Sequence, residues 1–241
     1  MRIIQCESKD EAIQTVASLI LDKVMAHPAS VIGLATGRTM EPVYASLVNS
    51  VKAQNLSLKD SFFFMLDEYV GLPENHPSSF KHYIKTHLID PLSLNESQFA
   101  FPPAHASDGG SHYETSLIES GGVDLQLLGI GQNGHVGFNE PGSNKESRTR
   151  IVELTKETIE ANREQFVDSN IPSKALSMGI GTILDAKNLL MLATGKSKAD
   201  TIKYLLNHHD DPNCPATFLK DHAHFTLVLD PDAASKINLN I

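Results

Sequence analysis

The stretch LLGIGQNGHVGFNEPG, Leu127 to Gly142, sets Asn133, His135, Asn139 and Glu140 among closely spaced glycines. That many glycines beside a titratable imidazole suggest a turn where backbone comes close to a ligand. Two chemistries compete for it. Gly129, Gly131 and Gly134 spell GxGxxG, the dinucleotide fingerprint, and Glu153 follows about 20 residues on, where such a motif places its ribose-binding acid. That motif must open a helix, however, and Gly137, Pro141 and Gly142 come too soon for one to start at Gly134. The other chemistry is proton transfer from a strand-to-loop turn carrying His135 and Glu140.

A second acidic site lies in SFFFMLDEYVGL. Phe62 to Leu66 is a continuous apolar run, as in a central strand covered on both faces, and Asp67 and Glu68 stand at its carboxyl end. Ligands of open α/β sheets bind outside such ends. An acid flanked by apolar residues has its pKa raised towards the range of a working general base. A turn or helix-capping aspartate is the plainer alternative.

Cations occur at two glycine turns. Thr36-Gly37-Arg38-Thr39 and Thr194-Gly195-Lys196-Ser197-Lys198 each follow an apolar strand and open a helix. Free N–H groups and the helix dipole favour an anion there, with the hydroxyls of Thr36 and Thr39 and the charges of Arg38 and Lys198 in support. A plain βα turn with Thr39 as N-cap explains the first equally well. Two such turns together make a phosphate site the stronger reading.

Elements that would position these residues alternate along the chain. Strands are expected at 2–6, 30–35, 62–66, 98–101, 123–128, 150–154, 175–179, 189–193 and 225–229. Helices are expected at 9–27, 41–53, 79–89, 110–119, 155–166 and 199–208, with a short one in GTILDA. Ser8 and Glu11 form a capping box for the first helix. This alternation predicts an α/β fold: one doubly wound, mostly parallel, Rossmann-like sheet in three α/β/α layers. Residues 1–241 read as a single domain. The polar helix 155–166, carrying Arg163, predicts a mobile helical lid over about 150–175.

Composition excludes several classes. A net charge of −9 argues against nucleic acid, which needs clustered Lys and Arg, but leaves room for an anionic small molecule. Two cysteines, Cys6 and Cys214, far apart, suit a reducing cytosol. No apolar run reaches the roughly 18 residues of a membrane span. His208-His209 and His222-x-His224 show no spacing of a known metal site, so no metal is expected.

With LDEYVGL, GIGQNGHVGFNEPGS, SRTRI, SMGIGTILDA and TGKSKA all in order, the chain resembles the glucosamine-6-phosphate deaminase family over about residues 30–205. The combination of GHxxFNEP with DEYxGL is specific. The sister 6-phosphogluconolactonases have an Arg after the Asp-Glu pair and lack Asn-Glu-Pro after the His; here Tyr69 follows Glu68 and Asn139-Glu140-Pro141 is intact.

The resemblance implies aldose–ketose isomerisation with loss of ammonia, in amino-sugar catabolism in the cytoplasm. Asp67 matches the enolisation base, His135 the ring-opening group and Glu140 its supporting carboxylate. Arg163, Lys198 and the 36–39 turn match the phosphate clamp. Asn133 stands where many members carry Asp; unable to move a proton, it would orient His135 or the substrate. Arg38 and Met40 replace a small residue and a proline. Val152 replaces a basic residue of allosteric hexameric members, whose C-terminal extension is also missing. A monomer is therefore expected, without activation by N-acetylglucosamine 6-phosphate and without any cofactor. The alternatives are a 6-phosphogluconolactonase or another sugar-phosphate isomerase on the same sheet, and a non-catalytic sugar-phosphate sensor.

Overall fold

The structure is a computed structural model, and it describes residues 1–237 except 74, 104–107, 156–157, 161–162, 164–165 and 167–170. Seven strands form one parallel sheet: β1 (Arg2–Gln5), β2 (Val31–Leu34), β3 (Phe62–Met65), β5 (Phe99–Ala100), β6 (Leu125–Leu128), β9 (Leu189–Ala193) and β10 (Phe225–Leu229). Their order is β1-β10-β9-β6-β2-β3-β5. All four residues of β2, all four of β6 and all five of β9 are buried. That is why these strands read as continuous apolar runs: helices cover both faces of the sheet.

The helices follow the expected positions closely. They are α1 (Lys9–Ala26), α2 (Glu41–Ala53), α3 (Phe80–Ile84), α4 (Asp90–Leu92), α5 (Ser111–Glu119), α6 (Ile180–Leu184) and α7 (Ala199–Asn207). The Ser8 side chain caps α1 by accepting from the Glu11 N–H at 3.1 Å. Only half of the expected capping box forms, because the Glu11 carboxylate takes the Glu7 N–H, not that of Ser8. The helix expected at 79–89 is α-helical only to Ile84. A π-helical turn, Lys85–Ile89, then leads into α4. Of the helix expected at 155–166, Thr158, Ile159 and Glu160 are helical, and six of its positions lie outside the described residues.

One expectation needs correcting. The sheet is not single. After β3 the chain leaves the parallel sheet at Leu66 and enters a three-stranded antiparallel sheet of order β4-β8-β7: β4 (Asp67–Tyr69), β8 (Lys174–Ser177) and β7 (Arg150–Glu153). Leu66 makes the junction: its N–H donates to Leu34 O of β2, and its carbonyl accepts from Met178 N after β8, both at 2.9 Å. A continuous apolar run gives no sign of where a strand changes sheets, so this crossing was hidden. The stretch 150–175 expected to be a lid therefore starts and ends in sheet.

The chain runs outwards from the middle of the parallel sheet in both directions, from β2 to β3 and β5, and from β6 to β9 and β10. The β2/β6 boundary is thus the topological switch point, where a crevice opens at the strands' carboxyl ends. The turn 35–40 leaves β2 there, and the glycine-rich loop leaves β6.

Candidate active site

A cavity of about 610 Å³ occupies that crevice. Its wall includes Thr36, Gly37, Arg38 and Thr39 from the β2 turn, Asp67 from β4, Asn133 and His135 from the β6 loop, and Lys198 beyond β9. Residues from four separate parts of the chain thus share one space. Glu140 stands behind Asn133 and His135. The apolar part of the wall includes Met40, Leu66, Phe80 and Phe138.

Alternation along β4 sends Asp67 and Glu68 to opposite sides. Both are buried. Glu68 accepts the N–H groups of Tyr69, Phe80 and Lys81 at 2.8, 3.0 and 2.9 Å, anchoring the start of α3. It is the structural acid of the pair. Burial still pushes its pKa up, against the lowering by those three bonds. Asp67 faces the cavity, and burial, with a smaller push from Glu68, raises its pKa to about 8. Gly137, at φ +57°, lies against it: a Cβ there would come within 3.3 Å of Asp67 Oδ2.

The His135 ring belongs to a relay of three side chains. Its Nδ1 lies 2.7 Å from Asn133 Oδ1 and 3.6 Å from Glu140 Oε2, while Asn133 Nδ2 donates to Glu140 Oε2 at 2.8 Å. Glu140 also accepts from Thr158 Oγ1 at 2.5 Å. Burial alone would raise the Glu140 pKa, but the bonds and charge of His135, Thr158 and Asn133 outweigh it and hold it at about 2. An ionised Glu140 only accepts, so the amide NH₂ of Asn133 must face it. Asn133 Oδ1 then faces the imidazole, and Nδ1 carries the ring proton. The free basic nitrogen is Nε2. Direct support of His135 therefore comes from Asn133, with Glu140 one step behind.

Gly131 and Gly134 of GxGxxG make room for neighbouring side chains. A Cβ on Gly131 would sit 2.3 Å from ring atoms of His135, and one on Gly134 2.2 Å from Cys214 Sγ. No helix starts at Gly134. The loop is also held from behind: Thr201 Oγ1 bonds Gln132 O, Ala216 N donates to Gly134 O at 2.9 Å, and Gly142 N donates to Pro212 O at 2.7 Å. Asn139 is fully buried, donating to Val136 O and Met178 O at 2.9 and 2.8 Å and accepting from Arg150 at 2.9 Å. It shapes the loop and does not line this cavity.

The two cation turns differ. At 36–39, Gly37 has φ +106°, and Met40, not Thr39, is the N-cap of α2, with no side-chain cap bond. At 194–198, the Gly195 N–H is taken by the buried carboxylate of Asp230 at 2.9 Å, so Lys198 is the contribution of this turn. Lys198 is partly buried, burial lowers its pKa, and it has no charged or hydrogen-bonded side-chain partner among the described residues. Arg163 is not brought to the cavity: it is exposed and paired with Glu160 at 2.8 Å. Sequence reading missed Thr158, Phe80 and Phe138, because a threonine in a polar segment and phenylalanines in apolar ones carry no signal of a cavity. No cluster of three or more potential metal-ligating His, Cys, Asp or Glu side chains occurs among the described residues, and none of their helices is long and apolar enough to cross a membrane.

Known proteins are similar throughout. The family model described as glucosamine-6-phosphate isomerases/6-phosphogluconolactonase matches residues 6–228. A glucosamine-6-phosphate deaminase of Rhodopirellula baltica is 45% identical over 234 residues, 95% of this chain and 93% of that one. One from Clostridium novyi is 40% identical over 98% of this chain and all of its own. A solved structure described as a monomeric glucosamine-6-phosphate deaminase superposes with a TM-score of 0.94 at 37% identity, covering 98% of this chain and 100% of that one. The 6-phosphogluconolactonase of Trypanosoma brucei, at 20% identity and a TM-score of 0.78, shares the fold. With a family match across nearly its whole length, and relatives this similar end to end, the chain belongs to the family of glucosamine-6-phosphate isomerases and 6-phosphogluconolactonases.

Proposed function

We infer that the protein converts glucosamine 6-phosphate and water to fructose 6-phosphate and ammonia, as a step in amino-sugar breakdown. The observation that carries this reading is Asp67 and His135 on one cavity wall, the first with a pKa of about 8 and the second with its tautomer fixed. Hydrolysis of a lactone needs no carbon acid to be deprotonated. An isomerisation does, and a buried carboxylate of raised pKa suits that task.

In the proposed sequence, His135 Nε2 moves a proton between the ring and anomeric oxygens and opens the sugar. The open-chain carbonyl acidifies the C2 proton, so the reaction needs no cofactor. Asp67 takes that proton and delivers it to C1, while O1 gains a proton given up by the C2 ammonium group. The nitrogen is left as an imine at C2, and water releases it as ammonia. Asn133 and Glu140 hold the imidazole in the required tautomer. Thr36, Gly37, Thr39, Arg38 and Lys198 hold the phosphate, whose binding energy keeps C2 against Asp67. Arg163 would reach the phosphate only if its segment moves towards the cavity as a lid.

We further propose a monomer without activation by N-acetylglucosamine 6-phosphate; the likeness to a solved deaminase described as monomeric supports the first part. Two buried free cysteines support a cytoplasmic setting. The deciding experiment is a paired assay on the purified protein. Ammonia release from glucosamine 6-phosphate is expected, with no hydrolysis of 6-phosphogluconolactone above the uncatalysed rate. The reverse result overturns the deaminase reading.

A further inference from the structure

The turn 35–39 is held from outside the cavity by two tyrosines. Tyr44 of α2 is fully buried and its hydroxyl donates to Ala35 O at 2.6 Å. The hydroxyl of Tyr83 of α3 donates to Gly37 O at 3.0 Å, and that same carbonyl accepts from Met40 N at 2.8 Å. The two rings meet edge-on, their centroids 6.1 Å apart. Burial raises the pKa of both phenols, so both remain donors.

The consequence follows from peptide geometry. No peptide bond here is cis, and in a trans peptide the C=O and the following N–H point in opposite directions. Tethering Ala35 O and Gly37 O to the protein side turns the N–H groups of Thr36 and Arg38 the other way. Backbone N–H groups turned to one side of a turn favour an anion there, and Thr36 and Arg38 both line the cavity. The N–H groups of Thr36, Gly37 and Thr39 have no acceptor among the described residues. Gly37, at φ +106°, has little intrinsic preference for this orientation. The Met40 N–H restrains the Gly37 carbonyl from within the turn, and the Tyr83 hydroxyl adds a second tie from another helix.

We propose that Tyr83 is a positioning residue for the substrate's phosphate: its hydroxyl presets the peptide after Gly37 so that the turn's amides face the anion. Nothing in the sequence pointed to it, since Tyr83 stands on another helix and does not line the cavity. The inference rests on the reading that the phosphate binds at residues 36–39 and Lys198. Preorganisation of this kind acts on binding, not on the chemical step.

The test compares Tyr83→Phe with Thr39→Val and Lys198→Ala, using glucosamine 6-phosphate as substrate and inorganic phosphate as competitive inhibitor. Tyr83→Phe is expected to raise KM and the phosphate inhibition constant together by about fivefold, the worth of one ordinary hydrogen bond, with kcat within about twofold. If Thr39→Val and Lys198→Ala raise KM but Tyr83→Phe moves neither KM nor phosphate inhibition, the positioning role is overturned and the phosphate site stands. If Tyr83→Phe lowers only Tm and kcat, the hydroxyl is merely structural and the role is again overturned. If Thr39→Val and Lys198→Ala leave KM unchanged, the phosphate lies elsewhere and both readings fail.

Discussion

Asn133 stands between His135 and Glu140, its Oδ1 2.7 Å from the imidazole Nδ1 and its Nδ2 2.8 Å from the carboxylate. The amide carries to the ring the orientation imposed by a charged acid that itself stays 3.6 Å from Nδ1. Removing it frees the imidazole to take either tautomer, while Glu140 at 3.6 Å is too far for a good direct bond. Asn133→Ala is expected to lower kcat by about 10- to 100-fold, the usual cost of losing an orienting partner, with KM little changed. Steady-state kinetics checks this; an unchanged kcat would show that the amide has no orienting role.

The raised pKa of Asp67 predicts the pH profile. In the free protein the base is protonated below about pH 8 and ionised above it. The acid limb of kcat/KM should therefore fall near that value. Glucosamine 6-phosphate brings an ammonium group on C2, next to the proton Asp67 must take, and an opposite charge favours the carboxylate. The acid limb of kcat is then expected at lower pH than that of kcat/KM. Limbs that coincide would show that substrate does not perturb the base.

Much of this was legible in the residues. Glu41–Ala53, Leu189–Ala193 and Phe225–Leu229 were bounded correctly, because a covered strand is almost wholly apolar and a helix start is marked by proline. Asp67 and His135 stand out in the sequence because acids and imidazoles are scarce at the ends of apolar strands, and both line the cavity. What stayed hidden depends on distant chain segments. The crossing at Leu66 looks like any apolar residue. Tyr83 and Thr158 act through single hydroxyls on elements far from the bonds they make. Arg163 was assigned by resemblance alone, and its side chain lies with Glu160.

Gly131 gives a prediction from crowding. Its φ is not positive, so an alanine meets no backbone penalty, but its methyl would fall 2.3 Å from the His135 ring. The ring must move, and a displacement of about 1 Å at a reacting group costs on the order of 100-fold in rate. Gly131→Ala is expected to fold and to lose kcat on that scale. Gly129→Ala is the comparison, since its methyl meets only Met40 Cε at 3.5 Å and its loss should be far smaller. Equal losses would mean that the loop, not the imidazole, is what the glycines protect.

Lys198 has the character of a cation waiting for an anion: partly buried, its pKa lowered by burial, and unpaired among the described residues. A phosphate would favour the charged form against that burial. Lys198→Ala should raise KM by about 10- to 100-fold, the range for a hydrogen bond to a charged group, and change kcat much less. An unaltered KM would remove Lys198 from the phosphate site.

Asp67→Asn separates the chemical role of this residue from its cost to the fold. The amide cannot take the C2 proton, so turnover should vanish while a phosphate-bearing inhibitor binds nearly as before; a matching loss of inhibitor binding would make Asp67 a positioning group. Stability should move the other way. The carboxyl pKa is about 8 folded and 3.8 as an unperturbed group. Between those values the unfolded chain releases a proton that the folded one retains, so wild-type stability falls as pH rises through this window. The total is on the order of 5 kcal/mol. The variant does not titrate there. Its Tm relative to wild type should therefore climb from about pH 4 to pH 8 and level off above. Parallel curves would mean that Asp67 is already ionised in the free protein, and the proposed base would lose its physical ground.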